Sequence, residues 1–325
     1  MRWFVWLLML AACPRSVRTP GSADVLVLAP HPDDEVLMAA GVIDRAVKQG
    51  QRVEVVLMTN GDFTCKRDGR VRRLETLTAL AKLGVDEAHV HFLGYPDGHL
   101  HELTATPLAP VERINPSGEC VRTNETWPVR GESRPFTSTA LTDDLTALLD
   151  RLRPADVYLP HGIDTHRDHA MTYVFFRRAI DRLGLATRAH RSVVHRHEDL
   201  CWPGSCERPY RPDATMPPLP FPLDRYSADE QLPVDAVWKL GLISAYPSQL
   251  DAPLENDWLA GFARTNEVFF SERYVKREGR MVSEATTSCD EGAAITCHVP
   301  LKFGDELSIW ANGEFTSSRI VSTTR

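Results

Sequence analysis

Two apolar runs separated by an acidic turn constrain this chain more than any other feature. "DVLVLA" (24–29) and "VEVVLM" (53–58) are hydrophobic without alternation. Strands that read this way are buried on both faces, as in a parallel sheet covered by helices on each side. Between them "HPDDE" (31–35) places one imidazole and three carboxylates in five positions. Val36, Ala39, Ala40, Ile43, Ala46 and Val47 then recur at helical spacing up to Gly50. His31, Asp33, Asp34 and Glu35 could simply cap that helix, whose dipole favours carboxylates, or they could hold a metal.

The unit repeats. Leu74, Leu77, Leu80 and Ala81 give a second helix, and "HVHFLGYPDG" (89–98) a third strand and a turn. Leu141, Leu145, Leu148, Leu149 and Leu152 form a helical face before the strand "DVYLP" (156–160). A helix from about His169 to Leu183, the strand "RSVVH" (191–195) and the helix "VDAVWKLGLISAY" (234–246) follow. Residues 103–137, and the proline-rich part of 190–235, lack periodicity and read as loops. These features predict an α/β fold: a Rossmann-like open, mostly parallel sheet with helices on both faces, plus a short C-terminal β-rich extension. The expected divisions are a leader and linker at 1–23, one α/β domain at 24–275, and the extension at 276–325, read as a cap over the sheet edge in preference to a partner-binding hairpin.

Ligands of open α/β sheets gather at the carboxyl ends of the strands. His31 to Glu35 fall there, after the first strand, and "HGIDTHRDH" (161–169) falls at the equivalent end of "DVYLP". The first loop offers His31 and Asp34, three residues apart. The second offers His166 and His169, with Asp168 between them. Three nitrogen or oxygen donors with one open position describe a catalytic zinc site. Adjacent carboxylates such as Asp33 and Asp34 point in different directions, so one can bind metal while the other handles protons.

The net charge of −7 and the scattered Lys and Arg give no basis for a nucleic-acid partner. "MRWFVWLLMLAAC" has the layout of a secretory signal. Leu10-Ala11-Ala12-Cys13 resembles the bacterial lipobox, with Cys13 as the lipidated residue. The expectation is an exported cell-envelope lipoprotein (otherwise a secreted protein), touching the membrane only through that anchor. Six further cysteines suit oxidation outside the cytoplasm. Local spacing suggests Cys201–Cys206 and Cys289–Cys297, leaving Cys65–Cys120.

"APHPDDE" after an aliphatic strand resembles the signature of the PIG-L/LmbE-like family of zinc-dependent N-acetylglucosaminyl deacetylases. The resemblance continues through "TNGD" (59–62), Arg72 and Glu75 at a helix start, and "LGYPDG" (93–98). It then takes in "HRDH" (166–169), "AYPSQ" (245–249) and "NEVFF" (266–270). It implies one zinc ion per chain, held by His31, Asp34 and His169, with Asp33 as general base. It implies that His166 is a charged donor to the oxyanion and acid to the leaving amine, its ring held by Asp168. It places Arg72 and Asp97 at the sugar. The implied partner is an N-acylated amino sugar or glycoconjugate, deacylated by metal-activated water. One departure is Tyr246, where the family's late motif has histidine.

Two other readings stand beside this one. A zinc amidase or phosphoesterase could use the same donors, although no Gly-rich phosphate cradle or Arg cluster is present. A non-catalytic sugar-binding lipoprotein would be expected to have lost Asp33 or a ligand, and all four positions are intact. His99 and His101, and His195 and His197, read as surface histidines.

Overall fold

The computed structural model describes residues 22–63, 68–105, 131–196, 201–217 and 230–277, with short strands at 113–114, 120–121, 280–283, 289–291, 295–297, 307–311 and 314–318. The chain begins with β1 (Val25–Ala29), α1 (Asp34–Lys48), β2 (Val53–Thr59), α2 (Gly69–Lys82), β3 (Val90–Tyr95) and α3 (Glu102–Ala105). After β4 (Arg113–Ile114) and β5 (Cys120–Val121) come α4 (Ser138–Leu152), β6 (Asp156–Pro160), α5 (Arg167–Leu183) and β7 (Thr187–Ser192). Next are β8 (Glu230–Pro233), α6 (Ala236–Ile243), β9 (Asn266–Arg277) and β10 (Arg280–Ser283). Strands β11 (Cys289–Glu291), β12 (Ile295–Cys297), β13 (Leu307–Ala311) and β14 (Glu314–Ser318) complete the order.

The main sheet runs β3-β2-β1-β6-β7-β9-β10, with β8 paired to β9. Its first five strands are parallel, and β9, β10 and β8 join antiparallel. The predicted mostly parallel α/β sheet is what forms. β9 crosses residue 275 and β10 extends the same sheet beyond it. In the tail, β11 pairs with β12 and β13 with β14, and residue 289 lies opposite residue 297 in backbone register.

Alternation divides the apolar run of β1 between two cores. Val25, Val27 and Ala29 join one cluster with residues of α1, α2 and α6, whereas Leu26 and Leu28 join another with residues of α4 and α5. Each such aliphatic side chain gains about 1.5–3 kcal/mol on full burial, which is why neither face of the strand can be polar.

Helix α1 is broken at Ala39 (φ −138°, ψ 22°). Lys239 Nζ donates to the carbonyl of Leu37 (2.9 Å) and to Glu267 Oε1 (2.7 Å). Glu267 in turn accepts from the amides of Gly41 and Val42 at 3.0–3.3 Å. A buried ion pair therefore satisfies the backbone groups that the break exposes. A Cβ on Gly41 would lie 2.5 Å from Val234 Cγ2, so the helix passes β8 only because that position has no side chain.

Within the stretch expected to be irregular, residues 201–217 are described and contain the Cys201–Cys206 disulfide. The expected strand 191–195 starts earlier, at Thr187, and ends at Ser192. Cys13, Cys65, His197 and the side chains of Cys120, Cys289 and Cys297 lie outside the described residues.

Candidate metal centre

β1 pairs with β2 on one side and with β6 on the other. Strand order thus reverses at β1, with β2 and β3 on one side and β6 and β7 on the other, and the crevice of a doubly wound sheet opens at that point. The loop after β1 carries His31, Asp33 and Asp34, and the loop after β6 carries Asp164, His166, Asp168 and His169. They meet. Asp34 Oδ2 lies 3.0 Å from His31 Nδ1 and 3.2 Å from His169 Nε2, all three side chains being buried.

The remaining ring nitrogens face carboxylates. His31 Nε2 lies 3.2 Å from Asp168 Oδ2 and 3.3 Å from Asp97 Oδ1, while His169 Nδ1 lies 3.3 Å from Asp164 Oδ2. Each imidazole therefore has one nitrogen toward a shared centre and the other toward an outer carboxylate, as ligating histidines do. Neither nitrogen of His169 makes a hydrogen bond of good geometry, though both are buried. Such a ring suits a cation. Among the described residues, three candidate donor sets have mutual separations within 4.8 Å: His31, His166 and His169; Asp34, His169 and His195; and His31, Asp97 and Asp168. The residues fit a divalent metal.

Electrostatics follow from the same contacts. Burial works against the charge on Asp34, but His169 and His31 hold its carboxyl well below the usual range. Burial likewise works against the charge on His169, yet Asp34 and Asp164 raise it to about 9. His31 is raised too, its burial outweighed by Asp97, Asp168 and Asp34. In effect a positive charge is favoured where these side chains converge.

Asp33 occupies the cap position of α1 but makes no capping bond with its side chain, and its φ is 126°. A side chain at such an angle is strained by about 1–3 kcal/mol, and strain of this kind gathers at functional sites. Glu35 supports it by accepting the Asp33 amide at 2.9 Å, and Tyr246 donates to Glu35 at 2.7 Å. This explains the Tyr246 departure: the phenol forms the rear support of the acidic turn. Burial lifts the Asp33 carboxyl to about 7, against the pull of Arg72 beside it (3.1 Å).

Two residue roles differ from expectation in their geometry. Asp168 does not hold the ring of His166: its carboxylate accepts from the amides of Gly98 (2.6 Å) and Leu100 (3.0 Å) and faces His31. The reason is its position in the first turn of α5, from which it reaches across to the loop after β3. His166 caps α5, its Nδ1 accepting the Asp168 amide at 3.3 Å, so the neutral ring carries its proton on Nε2. Burial, then the neighbouring His31, His169 and His195, hold the ring well below the usual imidazole range. These surroundings favour the uncharged ring, where a charged one was expected.

Arg72 and Asp97, expected at the sugar, are 5% and 2% exposed. Arg72 donates to the carbonyls of Pro32 and Gly61 and pairs with Asp33 and Asp97, while Asp97 faces His31. Asp164 and His195 were not singled out as site residues by sequence reasoning. Asp164 lies within "HGIDTHRDH" and could have been found there. His195 sits apart in sequence, on the loop after β7, and only the parallel order of β6 and β7 brings it in. Its ring is 4.8 Å from that of His169 and 5.0 Å from that of His166, so the expectation of a surface histidine is corrected. His99 is partly exposed and pairs with Glu102.

A doubly wound α/β fold with a buried His/Asp donor cluster at its switch point defines the class. Comparison with known proteins narrows it. Residues 26–180 match the family model PIG-L, described as GlcNAc-PI de-N-acetylase. A 1D-myo-inositol 2-acetamido-2-deoxy-alpha-D-glucopyranoside deacetylase of Mycobacterium sp. (strain KMS) is 31% identical over 177 residues, covering 49% of this chain and 50% of the relative. The chain thus spans about half the length of the curated relatives it matches. Among solved structures, the N,N'-diacetylchitobiose deacetylase of Pyrococcus horikoshii is similar at 17% identity and a TM-score of 0.47, covering 77% of this chain and 84% of that one. A conserved protein of Thermus thermophilus is similar at 22% identity and a TM-score of 0.44, covering 71% of this chain and 82% of that one.

Proposed function

We propose that this protein is a metal-dependent hydrolase that removes the acetyl or acyl group from the amide nitrogen of an N-acetylglucosamine-type sugar. One observation carries the reading: Asp34 Oδ2 faces both His31 Nδ1 and His169 Nε2, with the Asp33 carboxyl beside them. The PIG-L match and the acetamido sugar in the mycobacterial relative's name support the substrate class. The nitrogen and oxygen donors suit zinc, one ion per chain.

When bound, the metal would supply the positive charge that acidifies water and polarises an amide carbonyl. Asp33 takes the proton of the attacking water; a carboxyl lifted to about 7 is matched to that task near neutral pH. His166, with Nδ1 occupied as an acceptor, offers its Nε2 proton to the developing oxyanion. The proton on Asp33 can then pass to the departing amine. Asp168 and Asp97 orient His31, Asp164 orients His169, and Arg72 orients Asp33. Acetate and a free amine are the products. We also assign the chain to the cell envelope, with Cys13 as a lipid anchor; the lipobox-like segment and the Cys201–Cys206 bridge support that assignment.

The test is acetate release from a panel of N-acetylglucosamine conjugates by zinc-loaded protein. Asp33→Asn is expected to keep the metal and lose roughly 10²–10⁴-fold in turnover. Wild-type turnover in that variant overturns the assignment.

A further inference from the structure

We propose that His195 is a fourth protein donor to the cation held by His31, Asp34 and His169; this rests on the metal-dependent reading above. With Asp34 and His169, His195 forms a donor set that meets the same mutual distances as the sets containing His31. Its backbone is pinned. The amides of Val194 and His195 donate to Asp164 Oδ2 at 2.7 and 3.1 Å, and that same oxygen faces His169 Nδ1 at 3.3 Å. One carboxylate thus fixes the loop that carries His195 and the ring it approaches.

The ring of His195 also has a second contact. It stacks on Trp258, with ring centres 4.8 Å apart and planes inclined by 22°. Trp258 Nε1 donates to the carbonyl of Trp202 at 2.5 Å, inside the turn closed by Cys201 and Cys206. Trp202 is itself buried beneath the guanidinium of Arg196. The imidazole is therefore held between a braced indole and the donor cluster. These supporting residues, from His195 onward, all lie beyond the stretch matched by the family model.

Imidazole is a good ligand for zinc and its neighbours in the first row. A fourth protein donor tightens the hold on the ion, and expansion to five ligands still admits water and substrate. The Trp258 stack therefore keeps the His195 ring within reach of the donor cluster.

The full-length protein, stripped of metal, is titrated with Co2+ while its visible absorption bands are recorded. His195→Ala and His195→Gln are expected to bind Co2+ about tenfold or more weakly, on the scale of lost supporting contacts at metal sites, and with displaced bands. Free imidazole is expected to restore the bands of His195→Ala. Trp258→Ala keeps the donor and removes the stack that holds it, so it is expected to bind Co2+ more weakly than the wild type and less weakly than His195→Ala. Wild-type affinity and bands in both His195 variants overturn the proposal, as does unchanged or tighter binding in Trp258→Ala. His169→Ala separates the two readings. If it abolishes Co2+ binding while the His195 variants behave as wild type, His195 alone is misassigned. If it binds normally, the metal centre itself is wrong.

Discussion

Lys239 Nζ lies 2.7 Å from Glu267 Oε1, and both residues are at most 2% exposed. Lys239→Met leaves the Glu267 carboxylate buried without its cation and is expected to cost about 3–5 kcal/mol. Lys239→Met combined with Glu267→Gln removes both charges and should recover part of that loss. Denaturant unfolding midpoints of the two variants check the order.

Asp164 faces Nδ1 of His169 and accepts the amides of His166, Val194 and His195. Asp164→Asn keeps the shape and removes the charge. It is expected to weaken metal binding by about 10–100-fold while the protein stays folded, as read by competition with a chelator.

Tyr246→Phe deletes the hydroxyl that donates to Glu35 Oε1 inside the core. The stranded acceptor is expected to cost about 1–3 kcal/mol. Glu35 also holds the amide of Asp33, so turnover should fall together with the melting temperature. A drop in stability with full turnover would separate Tyr246 from the acidic turn.

Glu54 sets an acid limit. Burial opposes its charge, but His91, Arg52 and His89, bonded to it at 2.7–2.9 Å, depress its carboxyl from 4.5 to about 2. A pKa lower in the folded state contributes stability that is complete above about pH 4.5 and lost as pH falls toward 2. Glu54→Gln should unfold more easily near pH 7, by about 1–3 kcal/mol. Its stability should also change less between pH 4.5 and 2, which urea titrations at several pH values would show.

The parallel strands were legible because runs such as "DVLVLA" admit few other structures, and the crevice could be placed because strand ends are where crossovers diverge. "HPDDE" and "HGIDTHRDH" could be found because both loops are short and dense in donors. What a side chain turns toward was not legible. Asp168 and His166 are two positions apart in sequence, yet the first turn of α5 sends the carboxylate toward His31 and the loop after β3. His195 was hidden for a different reason. It ends the expected strand "RSVVH", and its neighbours across the crevice are fixed by strand order, which no local pattern reveals.

Helix α1 carries Asp34 at its start and the break at Ala39 little more than a turn later. The carbonyl and amides freed near that break are satisfied by residues more than two hundred positions away. The stretch matched by the family model, residues 26–180, therefore does not contain everything that braces α1. Cutting the chain after residue 180 would strip α1 of its ion-paired brace and one core of its α6 and β9 residues. The geometry of the donors is thus tied to Lys239 and Glu267, far along the polypeptide from the acidic turn they steady.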